Sequence, residues 1–157
     1  MAGMIENELL DYLVTKGAIT AKKTDGFEDM MPDTATGTVV CLKATGGIPS
    51  KGTPDPWIAI QALVRSDVSY YAARLLAAKV HTYFHEMIDA TTTSYRILAS
   101  KALAMPQSVG QDGRYRHLVS VNFLFNVVAL DQDLDNDGGG DEGGGYGGKK
   151  DPLINYD

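Results

Sequence analysis

The chain has 157 residues, 44% of them hydrophobic and 22% charged, with one cysteine and a formal net charge of −6. This is enough apolar material for one core. It excludes an internal disulfide, and no run reaches the roughly eighteen apolar residues that a membrane-spanning helix needs. Residues 1–130 hold 12 acidic and 12 basic side chains while 131–157 hold 8 and 2, so the whole net charge sits on the last segment. A neutral body without a basic patch argues against a dedicated nucleic-acid binder, because phosphate contacts need clustered Lys and Arg.

The opening MAGMIENELLDY has no basic flank and no apolar stretch of the secretory kind, so the chain reads as cytosolic at synthesis. Residues 4–16 predict an amphipathic helix, with Ile5, Leu9, Tyr12 and Leu13 on one face and Glu6, Asn7 and Asp11 on the other; Gly17 ends it. Residues 18–24 are read as a first strand. From Asp25 to Gly37 no period is evident, and the segment reads as a loop. Its adjacent Met30 and Met31 either adapt to a partner or tuck over the edge of the core. Residues 38–44 predict a strand in which Cys41 is core filler. Residues 45–57 carry three glycines and three prolines, among them Pro49 and Pro54, and predict a projecting loop closed by Trp57. In 58–65, Ile58, Ile60, Ala62 and Val64 share one strand face. Ser66 or Asp67 then caps a helix expected to run to about Asp89, with Arg74, His81 and His85 turned away from its core side.

The remainder reads as strand, loop, strand. Ser94–Lys101 is the first strand, the loop 102–115 holds Pro106, Gly110 and Gly113, and a long second strand covers 116–130. There Val119, Val121, Phe123, Phe125 and Val127 alternate with Ser120, Asn122, Leu124, Asn126 and Val128, the period of a strand with one face in a core. From Asp131 onward the composition changes to acidic residues and eight glycines, with almost nothing to bury. Residues 1–130 are therefore expected to form one domain, and 131–157 an acidic extension that stays disordered when free and ends in the less polar PLINYD. The expected fold is α+β, a two-layer sandwich of a mixed or antiparallel sheet of four to five strands with two helices on one face.

Chemistry-bearing patterns are weak. His81 and His85 have metal-ligand spacing, but Thr82 stands where a zinc-protease helix needs Glu, and two solvated surface histidines are the preferred reading. Asp133, Asp135, Asp137 and Gly138 match the first half of an EF-hand loop, yet Gly144 occupies the position of its bidentate Glu. GGIPSKG at 46–52 lacks phosphate-loop spacing. No cofactor, metal or catalytic activity is expected. Asp112 with Arg114 or Arg116 reads equally as an ion pair between subunits or as simple Asp-Gly turn chemistry.

The stretch P-x-S-V-G-Q-D-x-x-x-R followed by V-S-V-N-F-L-F resembles a family of small proteins of long-tailed phages, the tail terminators or minor capsid proteins. Pro106, Gly110, Asp112, Arg114 or Arg116 and the Val119–Phe125 run carry the resemblance, and the order of elements from residue 4 to 129 agrees with it. It implies a virion structural protein at the head–tail junction, made in the host cytoplasm. Its copies would form a homohexameric ring on the head-proximal end of the tail tube. The implied partners are the tube protein and a head–tail connector, with DNA only passing through the pore and no membrane involved. Interface candidates are Met30, Met31, Pro49, Pro54, Trp57, Pro106, Gly110, Asp112, Arg114, Arg116 and Asn122. Another neck protein joining portal to tail, and a small metal-dependent enzyme, are the alternatives.

Overall fold

The computed structural model describes residues 4–48 and 56–130. Helix α1 (Ile5–Thr15) is followed by β1 (Gly26–Glu28), β2 (Thr38–Ile48) and β3 (Trp57–Ser66). Helix α2 (Tyr70–Phe84), β4 (Ile88–Thr91), β5 (Tyr95–Ala102), β6 (Gln107–Gln111) and β7 (His117–Ala129) complete the order. The seven strands form one sheet, β1-β2-β3-β7-β5-β4, with β6 paired to β7. Only β1–β2 is parallel, so the sheet is mixed. The α+β class stands, and the expected four to five strands fall short of the seven found.

Both helices close over one sheet face. Ile5, Leu9, Leu10 and Leu13 of α1 and Ala73, Leu76, Ala77, Val80 and Phe84 of α2 join Val40, Leu42, Ile60, Ala62, Val64, Ile97 and the odd-numbered residues Val119–Val127 in one buried cluster. Phe84 meets Phe123 and Phe125 edge-on, each at 5.4 Å between centroids, a favoured aromatic geometry. The period-two reading of 119–127 is therefore the core face of β7.

Several boundaries differ from expectation for identifiable reasons. Residues 18–24 contribute one isolated bridge, Lys22 to Gly26, and the strand lies after them. The Asp25 carboxylate accepts from the Thr20 and Ala21 amides and holds this segment as a turn. Strand β2 continues through Gly46 and Gly47 to Ile48 across a bulge. A Cβ on Gly47 would come within 2.0 Å of the Trp57 carbonyl oxygen, so the glycines permit strand pairing where they were read as loop. Ser69, rather than Ser66 or Asp67, caps α2 by accepting from the Ala72 amide at 3.0 Å. The helix stops at Phe84 because the sheet takes over the backbone. The Glu86 amide donates to the Ser100 carbonyl, the Met87 amide to Ser100 Oγ, and Glu86 and Asp89 both take positive φ. The four-residue edge strand β4, Ile88–Thr91, comes next, where the end of the helix and a threonine-rich break had been expected.

Glu6 was assigned to the polar face of α1, yet it is buried and accepts from the Ala44 amide. Glu8 is buried too, accepting from the Ser94 amide and Thr92 Oγ1. Burial pushes its carboxyl up, and those hydrogen bonds outweigh the push and hold it below its ordinary value. Two carboxylates thus tie α1 to β2 and to the β4–β5 turn.

Candidate functional site

A strand sheathed by helices on one side still has a second face, and here the two ends of that face differ. At the β1–β2 end it is covered. A parallel pair needs a crossover, and residues 29–37 supply it by crossing the outer face, where Met31 and Ala35 pack on Phe27, Val39 and Cys41. Met31 therefore tucks against this small cluster while Met30 is 74% exposed, dividing the two readings of the methionine pair between its members. Burial pushes the Cys41 thiol up to about 11, as expected of inert filler.

Three arginines fasten the crossover. Arg65 is only 6% exposed, and its Nη2 donates to the Pro32 carbonyl at 2.7 Å and the Ala35 carbonyl at 3.1 Å. Arg116 donates through Nη1 to the Asp33 carbonyl at 2.9 Å, through Nη2 to Asp33 Oδ1 at 2.6 Å, and through Nε to Asp112 Oδ2 at 2.7 Å. Arg114 adds a 2.6 Å ion pair to Asp33 Oδ2. Asp112 Oδ1 also accepts from the Arg114 and Arg116 amides and so shapes the turn into β7. The Arg116 hydrogen bond is the main cause holding the Asp33 carboxyl below its usual value. Burial raises that of Asp112, and the surrounding donors reverse it. Asp112 thus takes part in its turn. Its ion pair lies within the chain, and so do the pairs of Arg114 and Arg116.

Beyond the crossover the outer face lies open among the described residues. Cross-strand pairs along β3 and β7 are Leu63 with Ser120, Gln61 with Asn122, Ala59 with Leu124 and Trp57 with Asn126. All are half-buried except Asn122, which is exposed. Lys101 Nζ stands 5.8 Å from the Trp57 ring centre, and Asn126 Oδ1 beside it is buried without a hydrogen-bond partner among the described residues. An arm projects at the other end. Strand β6 is exposed along its length, with Gly110 at φ 104° on its bulge, and Leu103, Met105, Val109 and Tyr115 around it are exposed, Tyr115 by 81%. Pro106 enters this arm half-buried. The 102–115 region was read as a single loop; β6 was missed because its residues, QSVGQ between Pro106 and Asp112, show no apolar alternation.

The interface candidates thus fall into groups. Asp112, Arg114 and Arg116 join the 29–37 crossover, Pro106 and Gly110 lie on the arm, Asn122 sits on the open strip, and Trp57 closes its far end. Pro49 and Pro54 lie outside the described residues, as do Asp133, Asp135 and Asp137. Sequence reasoning missed Arg65 and Asp33.

Among the described residues no third ligand joins His81 and His85. His81 and His85 stack at 5.1 Å, and both are half-buried rather than solvated. His85 Nδ1 accepts from the Ala102 amide, which places its proton on Nε2, beside Glu86, and leaves neither ring nitrogen free for a metal. Among the described residues no group of three or more His, Cys, Asp or Glu is placed to hold an ion.

In the sequence comparison, a model described as bacteriophage tail terminator protein matches residues 13–129. The chain belongs to the bacteriophage tail terminator family. Among solved structures, a chain from the virion of a native gene transfer agent particle superposes with a TM-score of 0.52 at 17% identity, over 66% of this chain and 78% of that one. At that identity the likeness is one of fold. A second solved chain covers 79% of this terminator-family chain and 90% of its own length at 14% identity, with a TM-score of 0.48. No functionally curated protein matches the sequence. The family gives the chain a structural role in the phage tail, and no described helix is long and apolar enough to cross a membrane.

Proposed function

We propose that this protein caps the head-proximal end of a phage tail tube as a closed ring of identical copies, six by expectation, ending polymerisation and presenting the surface to which the head connector attaches. The observation that carries the reading is the half-open strip Trp57–Leu63 and Ser120–Asn126, together with the exposed arm around β6. These are two unlike surfaces on one subunit, as head-to-tail contacts require, and such contacts give a ring when the rotation closes. Family membership supports the setting, and the strand-rich body with its clamped crossover supplies a rigid frame. One ring face copies the contacts of a tube ring and the other does not propagate them. A neutral body suits a pore through which DNA slides without being held.

The test is light scattering of the purified protein, alone and mixed with tail tubes, and then electron microscopy of the tubes. Rings confined to one tube end, with tube growth arrested there, are expected. Rings that bind portal particles and leave tube ends growing would transfer the protein to the neck, and a monomer indifferent to both would overturn the reading.

A further inference from the structure

Helix α2 shows solvent a face that the tail role leaves unexplained. Tyr71, 73% exposed, and Leu75, 46% exposed, lie one turn apart beside Arg74 and Lys79. None of the 15 residues of α2 is acidic, and neither cation forms a salt bridge among the described residues. A shallow groove of about 180 Å³ lined by Leu75, Ala78, Lys79, Thr82 and Tyr83 runs along this stripe. The face is apolar and cationic, and it suits an acidic segment with apolar side chains.

We propose that residues 151–157, Asp-Pro-Leu-Ile-Asn-Tyr-Asp, dock on this face of the same chain. Two independent features select this occupant. The first is charge complementarity. The extension from Asp131 carries 8 acidic and 2 basic residues, and its end sets Leu153, Ile154 and Tyr156 between Asp151 and Asp157. Lys79 lines the groove beside Leu75, and Arg74 lies on the opposite flank of the stripe, about 140° round the helix, so the two cations bracket a segment whose end carboxylates are six residues apart. Lys149 and Lys150 are repelled by the same cations, which confines the contact to residues 151–157.

The second feature is reach. Helix α2 lies along β7, with Tyr70 beside His117 and Phe84 beside Phe123 and Phe125, and β7 ends at Ala129. The Leu75–Lys79 stretch is therefore about 20–30 Å from the end of β7. Twenty residues, 131–150, stand between the end of the described chain and the segment, a length of chain that exceeds this distance. A link of that length makes the contact an intramolecular one. A contact that would be weak between molecules is thereby populated within one. Docking covers Tyr71 and Leu75, and it does not depend on the ring.

The test uses the full chain with Val68→Cys carrying a nitroxide; Val68 is exposed just ahead of α2 and outside the groove, and the buried Cys41 with its raised thiol pKa escapes labelling. Selective broadening of the amide resonances of 151–157, unchanged on dilution and relieved by Arg74→Glu with Lys79→Glu, is expected. Unbroadened resonances, or broadening that survives the double charge reversal, would overturn the proposal. Broadening seen only when labelled and isotope-enriched copies are separate molecules would assign the segment to a neighbour and overturn the same-chain contact. A ring that forms normally in any of these cases leaves the terminator reading intact.

Discussion

On one side of β7, Phe123 and Phe125 meet Phe84 edge-on with no access to solvent; one residue along the same strand, Asn122 and Leu124 look onto an open strip. The helix face is held by area removed from water and by close packing, which act without direction and tolerate no voids. The outer face is held at its β1–β2 end by directed bonds from Arg65, Arg114 and Arg116, and elsewhere lies open among the described residues. On the proposed ring reading the difference separates what the fold needs from what assembly needs, and substitutions on the two faces separate them experimentally.

The largest effect belongs to the helix face. Phe84→Ala empties a site shared with Phe123 and Phe125 and should cost about 3–5 kcal/mol, read as a lowered denaturation midpoint with the slope preserved. Next is Arg65→Ala, which strands the Pro32 and Ala35 carbonyls beneath the crossover. A loss of about 1–3 kcal/mol is expected, with faster amide exchange confined to residues 30–37. A uniform rise in exchange would mean that the crossover is part of the main core and not a fastened cover.

Acid probes the clamp directly. The Asp33 carboxyl is held below its unfolded value by Arg116, and Asp112 is held low by its donors. Depressed folded values mean that this stabilisation is fully present above the unfolded aspartate value of about 3.9 and is lost as pH falls through the folded ones. Asp33→Asn should flatten the acid limb of the stability profile by lowering the neutral plateau, a modest change because the Asp33 carboxylate is exposed and screened. The smallest effect on stability is expected at Asn122. Its replacement by Arg should shift stability by no more than about 0.5 kcal/mol, because the side chain is exposed, while abolishing ring contacts.

The helix face was legible because a period of two with aromatic members at 123 and 125 has no other economical reading. The edges were not. Strand β4 hid in a helical period that runs on through His85–Met87, and only the hydrogen bonds of Ser100 end the helix; β6 lacks alternation because neither of its faces is buried. The clamp was half legible. Asp112 announced a turn through its Asp-Gly dipeptide, but Asp33 lies 83 residues from Arg116, and nothing in the local sequence links them. Arg65 comes after Val64 in a strand pattern that predicts a solvated cation, and only the crossover above it makes it a buried fastener.

The most direct measurement is electron microscopy of tail tubes mixed with the wild-type protein and with Asn122→Arg, after denaturation has shown the two equally stable. Wild-type rings on one end of each tube, and bare ends with the variant, are predicted. Rings formed equally well by the variant would show that the open strip of β3 and β7 is not an assembly surface.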